Sequence, residues 1–148
     1  MQVRSFAGSS EVAVLAWERE EALIGLRTSV SRTGELIGGR RFGDHELYMT
    51  PDYARDMGGF RTATAADGQL LLSTGGHRDT HACYYGNECS PMVTTGVRIP
   101  DALLRARGDS LVVTFLPGAR QPWTISLRGE LIAAYLARVD SVVGEARR

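Results

Sequence analysis

The chain has 148 residues, of which 43% are hydrophobic and 23% charged, ordinary values for a globular protein and unlike those of a disordered one. At this length a fold hides roughly 68–70% of the surface its unfolded chain exposes, so a core can form without a metal or a cross-link. Seventeen basic residues balance seventeen acidic ones, which counts against a general nucleic-acid clamp. No stretch approaches the roughly 18 apolar residues of a transmembrane helix.

The elements follow in chain order. Residues 11–17, 22–30, 45–50 and 60–65 read as strands, with apolar residues alternating in several of them. Ser31-Arg32-Thr33-Gly34 and Ala66-Asp67-Gly68 supply hairpin turns, Asp-Gly being the stronger signal. Residues 70–74 form a further strand before the Gly75-Gly76 loop. In 92–99, Val93, Thr95, Val97 and Ile99 share one face of another. Between Pro100 and Gly108 lies a short helix. Residues 111–115 and 123–127 flank Pro117-Gly118 as a hairpin, with Leu111, Val113 and Phe115 on one face and Trp123, Ile125 and Leu127 on the partner face. Pro122 demotes the start of the second of these strands to an edge or an entry position. Residues 129–148 are the clearest helix. Leu131, Tyr135, Val139 and Val142 recur at helical spacing, and Ile132, Leu136 and Val143 widen the stripe. Gly144 is its expected stop, with 145–148 frayed. The fold class that satisfies these faces is a single mainly β domain over 1–148: an antiparallel β-sandwich or strongly curved sheet of about eight strands. A short helix and a C-terminal amphipathic helix pack on it. Trp17 and Trp123 are expected in the core.

All seventeen basic residues are Arg, and Asn87 is the sole Asn. Guanidinium forks that grip carboxylate or phosphate are one reading, and codon bias in a GC-rich genome is the simpler one. The absence of Lys removes Schiff-base chemistry and the phosphate-loop lysine.

The richest polar segment is 75–89, which holds His77, Arg78, Asp79, His81, Cys83, Tyr84, Tyr85 and Cys89. Two cysteines flanking the turn-forming Gly86-Asn87 read as a disulfide closing a tight loop, a cross-link worth about 2 kcal/mol. That places the protein in an oxidising compartment, periplasmic or extracellular, with Met1 standing at a trimmed start because no signal peptide opens the chain. The alternative is a cytoplasmic protein in which His77, His81, Cys83 and Cys89 hold zinc or a small ligand. The spacing between the histidines suits zinc, but that between the cysteines is longer than usual. A hydrolytic reading (His77 or His81 as base, Asp79 as orienter, Cys83 as nucleophile) crowds the base against its nucleophile on one loop.

Two further polar stretches read as surface. Asp44, His45, Glu46, Asp52 and Asp56 are candidates for acid–base or calcium chemistry, but without calcium-loop spacing they form a solvated face. Gly38-Gly39-Arg40-Arg41 lacks the strand and helix that would make it an anion cradle, and reads as a loop.

From the cysteine segment onward, the order is a strand, a short helix, a Gly, the strand 110–115, a turn and the run 123–139. Here Leu103, Leu104, Gly108, Leu111, Val113 and Phe115, then Ser126, Leu127, Arg128, Gly129 and Ala133, resemble the invasion-associated locus B family of bacterial exported proteins. Glu130 departs from the family's aromatic residue, and residues 1–82 carry no part of the likeness. The resemblance implies an exported β-sandwich with a disulfide, working in the envelope or at the cell surface, with no catalytic residues to carry over.

Together these readings lead to a non-enzymatic exported domain, without cofactor, that binds a protein or cell-envelope component and no nucleic acid. Tyr84, Tyr85 and Arg78 supply the binding hot spot, since Tyr and Arg are the side chains such spots favour.

Overall fold

The computed structural model describes residues 2–6, 9–19, 22–38, 41–50, 60–72, 77–79, 92–106, 110–117 and 123–148. Twelve strands are described: β1 (Gln2–Phe6), β2 (Ser9–Arg19), β3 (Ala22–Val30), β4 (Leu36–Gly38), β5 (Arg41–Phe42), β6 (Asp44–Thr50), β7 (Phe60–Ala65), β8 (Leu70–Leu72), β9 (His77–Asp79), β10 (Met92–Pro100), β11 (Ser110–Pro117) and β12 (Trp123–Arg128). Two helices accompany them, α1 (Asp101–Arg105) and α2 (Gly129–Ala146). The larger sheet has the order β1-β2-β3-β6-β10-β9, with the β4–β5 hairpin branching from β3. The smaller has the order β12-β11-β7-β8. The fold is therefore mainly β and antiparallel, with a short helix and a C-terminal helix, as the patterning requires.

Both expected hairpin turns form, for reasons visible in their residues. In the first, the Gly34 N–H donates to the Ser31 carbonyl at 3.0 Å and the Glu35 N–H to the Ser31 hydroxyl at 3.0 Å. Gly34 sits at φ +82°, a conformation that carries little cost without a Cβ. In the second, Gly68 takes φ +84° and the Asp67 carboxylate accepts the Gln69 N–H at 3.0 Å.

Alternation then sorts side chains between faces. Ile24, Leu26, Thr28 and Val30 of β3, and Val97 and Ile99 of β10, are buried on the inner face of the larger sheet. Leu111, Val113 and Phe115 of β11 are buried, and the register sets them against Leu127, Ile125 and Trp123 of β12, the pairing read from the sequence. Strand β10 packs against β7 and β8, while α2 lies against β2, β3, β11 and β12. The helix and the smaller sheet thus share one face of the larger sheet, and the core lies between them. Ile132, Tyr135, Val139 and Val142 are the buried stripe of α2, with Leu136 and Val143 partly buried beside it.

Two readings need correction at the C-terminus. Gly144 does not stop α2, which runs through it to Ala146, and a Cβ added at Gly144 would meet nothing. Nor is the end frayed at Arg147: its N–H donates to the Val143 carbonyl, and its guanidinium donates to the Gly34 carbonyl at 3.3 Å. The first turn therefore anchors the last residues of the helix. Trp17 and Trp123 lie on β2 and β12, and their side chains are outside the described part.

Removing residues 129–148 would uncover the face of β2, β3, β11 and β12. The four buried side chains of α2 each contribute about 1.5–3 kcal/mol, a total comparable to the 5–15 kcal/mol that separates a typical domain from its unfolded chain. The truncated chain is expected to show no cooperative thermal transition by circular dichroism.

Candidate functional site

The stretch read as a solvated acidic face is the centre of the fold. Strand β6 lies between β3 and β10, so both of its edges are paired and it sits centrally in the larger sheet. His45 is 0% exposed and Glu46 is 3% exposed. The solvated reading of Asp44, His45 and Glu46 fails for His45 and Glu46, because a central strand buries polar residues as well as apolar ones and then has to partner them. Asp44 is half-buried, and its carbonyl accepts the hydroxyl of the buried Thr28 at 3.0 Å. Asp52 and Asp56 lie outside the described residues.

On the inner face, alternation aims His45 at both helices. Its Nδ1 is 2.7 Å from the Tyr135 hydroxyl of α2, and its Nε2 is 2.7 Å from Asp101 Oδ1 of α1. Arg105 donates from Nε to Asp101 Oδ2 at 2.9 Å and forks onto Asp140 of α2 at 2.6 and 3.2 Å. Asp101, Arg105 and Asp140 reach towards solvent, whereas the imidazole and the phenol do not.

The proton positions follow from this geometry. Burial pushes the Tyr135 hydroxyl upward, and the negative Asp101 and Glu11 add to that, so it remains a donor. Burial alone would raise the Asp101 carboxyl, but hydrogen bonds from His45 and Arg105 outweigh it and hold Asp101 below its usual value. A carboxylate only accepts, so His45 Nε2 carries the proton and Nδ1 accepts from Tyr135. Burial lowers the His45 value despite the opposing hydrogen bond and charge of Asp101, which agrees with this neutral tautomer. The Arg105 guanidinium is raised, first by its hydrogen bonds to Asp140, and stays charged. An Asp–His–hydroxyl series has the form of a nucleophile relay. Here its reactive end is sealed in the core, so the cluster ties β6, α1 and α2 together.

The outer face of the larger sheet carries a second cluster. Arg27 of β3 and Arg98 of β10 stand in register on either side of Glu46. The Arg27 guanidinium donates from Nε to Glu46 at 2.6 Å and lies 4.4 Å from the centroid of the Tyr48 ring. Tyr48 in turn covers Gly25, where a Cβ would fall 2.3 Å from the phenol carbon. Glycine at 25 thus makes room for the Tyr48 ring. Gly38 is explained by a similar crowding, since a Cβ there would meet the Asp44 carbonyl oxygen at 2.2 Å. It is a packing glycine of β4, and Gly39 and Arg40 lie outside the described residues.

Of the residues singled out in the polar segment, His77, Arg78 and Asp79 form the edge strand β9. They pair through their backbones with Thr94, Val93 and Met92 of β10. Their side chains, and the residues His81, Cys83, Tyr84, Tyr85 and Cys89, lie outside the described residues. The structure instead brings together His45, Asp101, Tyr135 and Arg105. Apart from His45, each of these reads in the sequence as part of a helix, and no local signal marks any of them as a partner of a buried imidazole. No family model matches the chain, and neither a curated protein nor a solved structure matches it.

Tyr135→Phe would leave His45 Nδ1 without a donor, and urea unfolding is expected to show a loss of about 1–2 kcal/mol. Asp140→Asn touches only the exposed end of the series and should cost less than about 1 kcal/mol. Equal losses from the two changes would mean that the inner bond holds nothing extra.

Proposed function

We propose that the protein is a non-catalytic exported domain of the cell envelope or surface that binds another macromolecule, a protein or an envelope component. The observation that carries this reading is the outer face of the larger sheet. Phe42 is 68% exposed there, opposite Ile37 in the β4–β5 pair, and Ile37 stands opposite Ser29 on the same face as Arg27. Arg27 is fixed between Glu46 and Tyr48. An exposed aromatic ring on the same face as a braced guanidinium is a pairing that interfaces favour, and bracing lowers the ordering cost of binding. Among the described residues no helix is long and apolar enough to cross a membrane.

The connection between β9 and β10 is the second part of the surface in this reading. Along the sequence, Cys83 follows Asp79 of the last ladder pair by four residues and Cys89 precedes Met92 by three, a near-symmetric spacing that supports a cross-link between them. Tyr84 and Tyr85 would then be presented on a stapled hairpin beside Arg78. The likeness to the invasion-associated locus B family agrees with an exported domain of this kind.

Two measurements test the proposal. Phe42→Ser, and separately Tyr84→Ala with Tyr85→Ala, should leave the melting temperature within a few degrees while abolishing cross-linking to an envelope fraction. Unchanged cross-linking in both would refute the binding reading. Intact-mass measurement with and without reductant should show that the native chain lacks two hydrogens. Free thiols with stoichiometric zinc would instead establish the cytoplasmic alternative built on His77, His81, Cys83 and Cys89.

A further inference from the structure

The neutral state of His45 is the one in which every polar atom of the inner cluster is matched. Tyr135 donates to Nδ1, and Nε2 donates to Asp101. A proton arriving at Nδ1 converts that nitrogen into a donor aimed at an oxygen 2.7 Å away, whose own hydrogen has just lost its acceptor. Both rings are 0% exposed, so water does not take over the bond without movement of the helix.

We propose that this cluster is an acid-sensitive latch: protonation of His45 reverses its bond with Tyr135, strands the phenol hydrogen in the core and loosens α2 from the larger sheet, uncovering Ile132, Val139 and Val142.

The surrounding charges set the balance. From α1, Asp101 favours the imidazolium, while Arg105 opposes it and divides the carboxylate's charge. From α2, Tyr135 faces Nδ1 and Asp140 acts through Arg105. Asp44, next in β6, favours the proton from a half-buried position. Glu46 and Arg98 lie on the opposite face of the sheet, and Glu11 of β2 acts on the phenol. Desolvation is the largest influence, and it lowers the folded value of His45. A histidine depressed in the folded state contributes stability that is complete above its unfolded value of about 6.5 and is lost as pH falls below it. The latch therefore holds at neutral pH and weakens in mild acid, the range in which histidine switches operate.

Hydrogen exchange of the α2 amides in the full chain, corrected for intrinsic rates, reads the latch directly. Protection should fall roughly tenfold from about pH 7.5 to about pH 5, with little change in β11 and β12. His45→Gln should remove that dependence, since the remaining histidines, His77 and His81, stay in place. Tyr135→Phe should reduce it, because no hydroxyl is then stranded by the proton while burial of the imidazole remains. Should the His45 variant fail to fold, Tyr135→Phe and the nuclear magnetic resonance titration of the His45 ring in the unaltered chain decide the matter. A ring that titrates at or above about 6.5, α2 protection that does not change with pH, a fall that persists in the His45 variant, or one that is undiminished in Tyr135→Phe would each overturn the proposal.

Discussion

One buried imidazole holds this fold's helices to its sheet. His45 has no exposed surface, yet it offers two polar nitrogens, and a core that encloses such a group has to supply one acceptor and one donor at the right places. Asp101 and Tyr135 meet that demand from two helices separated in sequence by two strands. The requirement fixes where α1 begins, directly at the end of β10, and which turn of α2 faces β6. An apolar stripe tolerates small rotations and slides, but a pair of hydrogen bonds at 2.7 Å does not. Specificity of docking is thus added by the polar cluster to adhesion supplied by the stripe.

The two faces of the larger sheet illustrate how one strand can hold two unrelated polar systems. Along β6, His45 points inward to the helices while Glu46 points outward to Arg27, and neither is left to water. Leu47 returns to the core, and Tyr48 returns to the outer face. Crowding on the outer face is relieved by Gly25 beneath the Tyr48 ring. The outer cluster differs from the inner one in having a side chain open to solvent, since Arg27 remains about one-third exposed at 31%. That difference separates a group able to meet a partner from one whose work is internal.

Much of this architecture is legible in the residues. Periodicity of two marks β3 and β7 at their observed limits, the Asp-Gly and Thr-Gly turns place two hairpins, and helical spacing marks α2 and its buried face. Short strands such as β4, β5 and β9 are not, because two or three residues carry no period and exist only where a neighbour offers a ladder. The stop assigned to Gly144 fails for a related reason. A glycine weakens a helix locally, but anchoring of Arg147 on Gly34, far away in the chain, decides whether the last turn forms.

By itself the sequence determined the antiparallel β class, the C-terminal helix and the apolar stripe that docks it, because these depend on local spacing and on burial in general. It did not determine what the polar residues do. DHEL in isolation is a hydrophilic run, and nothing within it reveals that β3 and β10 will enclose it on both sides. Only the tertiary structure places Asp101 and Tyr135, far along the chain, against His45 and so makes a buried histidine tolerable. The partners of a buried polar atom are chosen by three-dimensional proximity, and spacing along the chain carries no record of that.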